Sequence, residues 1–143
     1  MKENNRKTAI YCRTTQKNKK EMENQKDYLN KYCEYYGYTN YIVYEDYGYS
    51  AKNPNRPGYN KMMNDLKSGK IDKIIITSLD NLIRSLVDFN EILEEAHKNT
   101  CRLISLNENI DTTSPAGTML MRVFLSITEF EEELKKERKL LID

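Results

Sequence analysis

Lys73-Ile74-Ile75-Ile76-Thr77 is the stretch on which the fold turns. Three successive β-branched residues without a polar alternation describe a strand buried on both faces, as strands of a parallel sheet are. An antiparallel strand with one wet face would alternate. Working outward, residues 59–67 read as a helix closed near Gly69, and 88–98 as a helix with Phe89, Ile92, Leu93 and Ala96 on one face. Further strands read at 8–13 (TAIYCR), 41–44 (YIVY) and 102–106, with a short edge strand at 108–110. A helix over 20–36 ends at Gly37. A long helix runs from 116 to about 141, with Pro115 suited to its first turn. Residues 46–58 (DYGYSAKNPNRPG) hold two glycines and two prolines and read as a long loop. Strands alternating with helices give an α/β fold: a mostly parallel, doubly wound sheet of four to five strands.

Composition narrows the function classes. The 143 residues fit one domain, 1–143, able to bury a core. A net charge of +1 gives no global polycation for nucleic acid, so any such contact is local or comes from another domain. The apolar runs are too short for a bilayer, and residues 1–7 are charged with no apolar stretch behind them, so neither membrane nor secretion is expected. Cys12, Cys33 and Cys101 are odd in number and lack CxxC spacing, which suits a reducing cytoplasm. With His97 the single histidine, neither a metal site nor a Ser-His-Asp triad is expected, and no cofactor is.

Doubly wound sheets bind ligands beyond the carboxyl ends of their strands. Arg13, Thr14 and Thr15 lie at or just after the end of the first strand, Asp46 after the second, and Ser78, Asp80, Asn81 and Arg84 after the third. Arginines, aspartates and hydroxyls at three strand ends suit an anionic substrate. The two-residue period puts Tyr11, Arg13 and Thr15 on one face and Ile10 and Cys12 on the other.

Five ordered motifs resemble the resolvase/invertase family of serine site-specific recombinases, most closely the large serine recombinases of phages and mobile elements. Tyr11-Cys12-Arg13-Thr14-Thr15 resembles the family's Y-x-R-V-S, and residues 46–57 its D-x-G-x-S-G…R-P loop. Residues 79–84 (LDNLIR) resemble L-D-R-L-x-R. Residues 107–117 and 129–138 are similar to the stretch entering and following the family's long helix. The likeness implies metal-free attack of a hydroxyl on a DNA phosphodiester, leaving a covalent 5′-phosphate and a free 3′ hydroxyl. It makes Thr15 the nucleophile and Arg13, Arg56 and Arg84 the phosphate clamp, whose planar forks suit a phosphate. It gives Asp80 an arginine to orient or the leaving-group proton. It also has Asp46 orient Arg13 or its neighbours, Tyr11 support the nucleophile's strand, and Gln25, Asn81 and Ser50 stand behind them.

Several positions depart from the pattern. Thr15 stands where the family has serine; its extra methyl is stiff and crowds in-line attack. Asn81 replaces an arginine, Ala51 a glycine, and Lys19 stands near where the family has a glutamine. Plainer roles exist for the same residues. Arg13 would ion-pair with Asp46 or Asp80, Thr15 would cap the following helix, Asp80 would cap the turn to Arg84, and Arg56 would close a loop. Tyr44, Tyr47 and Tyr49 would either stack on bases or cover the sheet edge. Cys12 would pack in the core, and His97 would favour its helix's C-terminal end.

On the long helix, Met119, Leu120, Met121, Val123, Phe124, Leu125 and Ile127 go nearly all the way round. One domain covers one side only, so a second partner is expected. In the resembled family this helix builds the dimer and the tetramer on DNA, which makes Met119, Met121, Phe124, Leu125 and Ile127 the dimer contacts. Neither a helix-turn-helix nor a zinc-ribbon cysteine set follows, so only weak, salt-sensitive binding to double-stranded DNA is expected of this chain.

Three readings stand. The first is a recombinase catalytic domain. The second is a catalytically impaired relative acting through dimerisation or through DNA or partner binding. The third is an unrelated phosphate- or nucleotide-binding domain. Against the third, CRTTQKN after the first strand has neither G-x-G-x-x-G nor a P-loop.

Overall fold

The computed structural model describes residues 5–142. Five strands form one sheet in the order β2-β1-β3-β4-β5. β1 (Lys7–Thr14), β2 (Tyr41–Tyr47), β3 (Ile71–Ile76) and β4 (Arg102–Ser105) are parallel; β5 (Ile110–Asp111) pairs antiparallel with β4. Ile71, Ile74, Ile75 and Ile76 of β3 are fully buried, as the isoleucine run demanded.

One face of the sheet is covered by α1 (Lys19–Tyr35), which packs Met22, Leu29 and Cys33 on Ile10, Cys12, Ile75 and Ile104. The other carries α2 (Pro57–Lys67), α4 (Leu86–Lys98) and the start of α5 (Pro115–Ile142). A four-residue helix, α3 (Leu79–Leu82), follows β3. Gly37, at φ 73°, ends α1 in the left-handed region that glycine enters without penalty. Gly117 sits so close to the backbone carbonyl of Asp111 that a Cβ would not fit; this seats α5 on β5.

Several expectations shift. β2 continues through Asp46 and Tyr47, because its register with β1 runs on to Arg13↔Asp46 and Thr14↔Tyr47, so the loop shortens to residues 48–56. The edge strand lies two residues later than expected, where Ser105 and Ile104 supply the pairing. No helix among the described residues is long and apolar enough to cross a membrane.

The long helix needs a larger correction. Gly117, Met121 and Leu125 repeat every four residues and turn one stripe onto the domain's own core, with Phe124 packed beside them. Met121 is fully buried, so neither it nor Leu125 is available as a dimer contact. Met119, Leu120, Val123 and Ile127 remain exposed.

Candidate active site

The carboxyl ends of β1, β2 and β3 bring the sequence-selected residues together, held mainly through backbone groups. Arg13 is 7% exposed, and its guanidinium serves as a strut. Nε donates to the Asn81 carbonyl (3.0 Å) and Nη2 to that of Asp80 (3.1 Å). Nη1 donates to the Tyr49 carbonyl (2.9 Å) and to Thr15 Oγ1 (2.8 Å). It forms no ion pair with Asp46 or Asp80, contrary to the plainer reading. Burial, above all, lowers its pKa.

Thr15 is exposed and does not cap α1; that role falls to Asn18, whose side chain accepts from Glu21 N (3.1 Å). Gln25 clamps the backbone of Arg13 from α1: its Oε1 accepts from Arg13 N (3.1 Å) and its Nε2 donates to Arg13 O (2.8 Å). Asn81 joins them, donating to Thr77 Oγ1 (2.7 Å) and to Gln25 Oε1 (3.4 Å). In place of a fixed charge, the position supplies a neutral tie between β3 and α1.

Asp46 is 1% exposed and serves a different end from Arg13. Its carboxylate accepts from Gly58 N (2.7 Å), Tyr59 N (2.9 Å) and the Tyr11 hydroxyl (2.6 Å). The N-cap of α2, Arg56, has no side-chain cap bond, so Asp46 caps that helix from a neighbouring strand. Tyr11 in turn accepts from Arg56 Nη1 (3.2 Å). Burial is the main reason the Tyr11 phenol is pushed far above its usual pKa, with Asp46 adding to it.

Arg56 is 3% exposed, with its guanidinium 4.1 Å from the centre of the Tyr59 ring. Its Nε is buried without a hydrogen-bond partner among the described residues. Arg84 is exposed and forked onto Asp88, with Nε–Oδ2 2.5 Å and Nη2–Oδ1 3.1 Å. A cleft between loop 48–56, the α3–α4 junction and α5 is lined by Ala51, Lys52, Asp80 and Arg84 on one side and Glu129 and Phe130 on the other. Asp80 is exposed in the first turn of α3 and does not cap it. Ser50 Oγ accepts from Lys52 N (3.2 Å), and its carbonyl from Asn53 N (3.1 Å). Tyr44 is buried, bonded to Asp65 (2.5 Å), and is unable to stack on a base.

The sequence reading missed two carboxylates at this edge. Glu108 Oε1 accepts from Leu79 N (2.9 Å), the first amide of α3, and Glu129 Oε1 from Leu86 N (2.5 Å), the first amide of α4. With Asp46, three helices around the site are therefore capped by carboxylates from other elements, which also suits the helix dipoles. Spacing within the sequence holds no signal for a cap supplied across the fold. Among the described residues, no three His, Cys, Asp or Glu side chains form a metal-ligand set.

Comparison with known proteins settles the ancestry. The family model "Resolvase, N terminal domain" matches residues 8–141. This chain belongs to the resolvase family. Among its relatives, serine recombinase PinR of Escherichia coli K12 is 37% identical over 98 residues, 68% of this chain and 49% of that protein. DNA-invertase hin of Salmonella typhimurium LT2 is 33% identical over 98 residues, 68% and 50% of the two chains. The chain thus spans about half the length of the curated relatives it matches. The solved N-terminal catalytic domain of TP901-1 integrase superposes with a TM-score of 0.75 at 34% identity, covering 91% of this chain and 99% of that one. A resolvase family site-specific recombinase from Streptococcus pneumoniae gives 0.66 at 26% identity, covering 94% and 93%. The family is one of site-specific DNA recombination, and the mostly parallel sheet with its long terminal helix is the fold of these neighbours' catalytic domains.

Proposed function

We propose that this resolvase-family domain cleaves and rejoins double-stranded DNA at a specific site, with the Thr15 hydroxyl as nucleophile. The Arg13–Thr15 contact carries the reading: a guanidinium donating to a hydroxyl oxygen stabilises the alkoxide formed on attack. Thr15 Oγ loses its proton to solvent and bonds to phosphorus, the P–O3′ bond breaks, and the 3′ oxygen takes up a proton. Asp80, the exposed carboxylate at this edge, handles that proton. Arg84, once released from Asp88, and Arg56, whose Nε has no hydrogen-bond partner among the described residues, supply donors to phosphoryl oxygens.

Assembly uses the exposed side of α5. Ala116, Leu120, Val123, Ile127, Phe130 and Leu134 alternate spacings of four and three, the heptad rhythm of a helix that pairs with another. Leu120, Val123, Ile127 and Phe130 are 46–63% exposed. A second copy covers this seam in the dimer, and a tetramer forms on DNA. DNA affinity is weak and salt-sensitive without a further DNA-binding domain.

Incubation with DNA bearing a cognate site, followed by denaturing electrophoresis, tests the chemistry. A protein–DNA adduct that is lost in Thr15→Ala supports it; an adduct that survives in Thr15→Ala overturns it.

The Arg84–Asp88 pair favours a second reading. With Arg84 held away and Arg13 committed to carbonyls, the domain is a strand-transfer-impaired relative that acts through its helix seam. Restoration of cleavage by Thr15→Ser with Asn81→Arg, from an inactive parent, supports this reading.

A further inference from the structure

Nothing in the reaction scheme uses Glu108, yet its carboxylate stands at the start of a continuous chain of contacts to the proposed nucleophile. A four-residue helix is too short to hold itself, because nucleation is costly and one turn returns little. The N-cap of α3, Ser78, makes no side-chain cap bond. The amide of Leu79 is instead taken by Glu108 Oε1 at 2.9 Å. Glu108 is fixed in turn: the fully buried Ser105 hydroxyl donates to the same oxygen. Its turn is closed by Asn109 N to Leu106 O (3.1 Å), with Asn109 at φ 54°, and tied to Thr77, just past β3, by Asn107 N to Thr77 O (2.8 Å).

From α3, the carbonyls of Asp80 and Asn81 hold two arms of the Arg13 guanidinium, and a third arm holds Thr15 Oγ1. We infer that Glu108 is a positioning residue: as an acceptor at the head of α3, it sets the carbonyls that aim Arg13 at the Thr15 hydroxyl. The inference rests on the strand-transfer reading for the importance of that aim, and on geometry alone for the contact chain.

Amide exchange and side-chain NMR of the full chain separate the two. Glu108→Ala is expected to speed exchange of the Leu79 amide about tenfold, the worth of one lost hydrogen bond, and to shift the Arg13 Nε–H resonance. The Ile75 amide in the sheet centre is expected to stay protected. Glu108→Gln, which keeps an acceptor oxygen, is expected to restore both signals. Ser105→Ala, which frees Glu108 without removing it, is expected to move the Arg13 resonance in the same direction and serves where Glu108→Ala fails to fold. Unchanged Leu79 and Arg13 signals in Glu108→Ala overturn the inference, and so does a Glu108→Gln chain as loosened as Glu108→Ala. If Ser105→Ala has to stand in and leaves Arg13 unmoved, that also overturns it. Failure of the chain to form a DNA adduct, with the NMR response intact, counts against the strand-transfer reading and leaves the positioning role standing.

Discussion

Arg13 reaches Thr15 Oγ1 across 2.8 Å while two of its other nitrogen–hydrogen arms are held by α3 carbonyls. The environment of the Thr15 hydroxyl, the nucleophile we propose, is therefore set by a buried cation. Replacing Arg13 by lysine removes the fork and leaves several carbonyls short of a donor. Arg13→Lys is expected to cost about 2–3 kcal/mol in urea unfolding. A loss below 0.5 kcal/mol, of the order seen for neutral surface changes, would remove the strut from the account.

Thr15 itself is exposed. Thr15→Ser is expected to leave stability within about 0.5 kcal/mol. It is expected to speed adduct formation on the order of tenfold, because the stiff β-methyl no longer crowds the line of attack. Single-turnover rates on a suicide DNA substrate measure this; a slower serine variant contradicts it.

The two sides of α5 respond differently. Met121 is fully buried, so Met121→Ala is expected to cost about 2–4 kcal/mol of stability. Val123→Glu and Ile127→Glu change exposed positions and are expected to leave the unfolding midpoint nearly unchanged while shifting sedimentation from dimer to monomer. Equal effects of both kinds of substitution on folding would mean that the exposed stripe is part of the core.

Alkaline pH is expected to destabilise the fold. Burial pushes the thiols of Cys12 and Cys101 from 9.0 to about 12, and the phenol of Tyr59 from 10.0 to about 12. These raised groups bind protons more tightly folded than unfolded. Their contribution is complete below pH 9.0–10.0 and is lost as pH rises towards about 12. Urea midpoints across this window should fall, and Tyr59→Phe should flatten part of the slope. The same burial leaves Cys12, Cys33 and Cys101 inert to a thiol reagent at pH 8 until the chain unfolds.

What the sequence made legible was whatever has a local period. The isoleucines of β3, the apolar face of α4 and the length of α5 all announced themselves. Helix α3 did not, because LDNL is shorter than any helical repeat. The inward and outward stripes of α5 were indistinguishable while apolar residues ringed it; the seat of Gly117 on Asp111 and the packing of Met121 and Leu125 fix its rotation. At the candidate site, Arg13, Thr15, Asp46 and Asp80 were singled out from strand ends and motifs. Their partners were not, because most are backbone groups brought near by the fold. Asp46 was expected to orient Arg13 or its neighbours; it holds Tyr11 and the otherwise unsatisfied amides of α2, and not Arg13.

Helix α5 is anchored over Gly117–Leu125 and exposed along nearly all of its further length. From Met121 to Ile142 it reaches about 30 Å, so a tilt of about 10° at the anchor sweeps the tip through about 5 Å, roughly one helical turn. Because Glu129, just past that anchor, accepts from the first amide of α4, two residues after Arg84, the same rod touches the edge of the candidate site. The arrangement is a lever: a small force on the distal arm becomes a larger one at the Glu129 contact, beside the segment that carries Arg84.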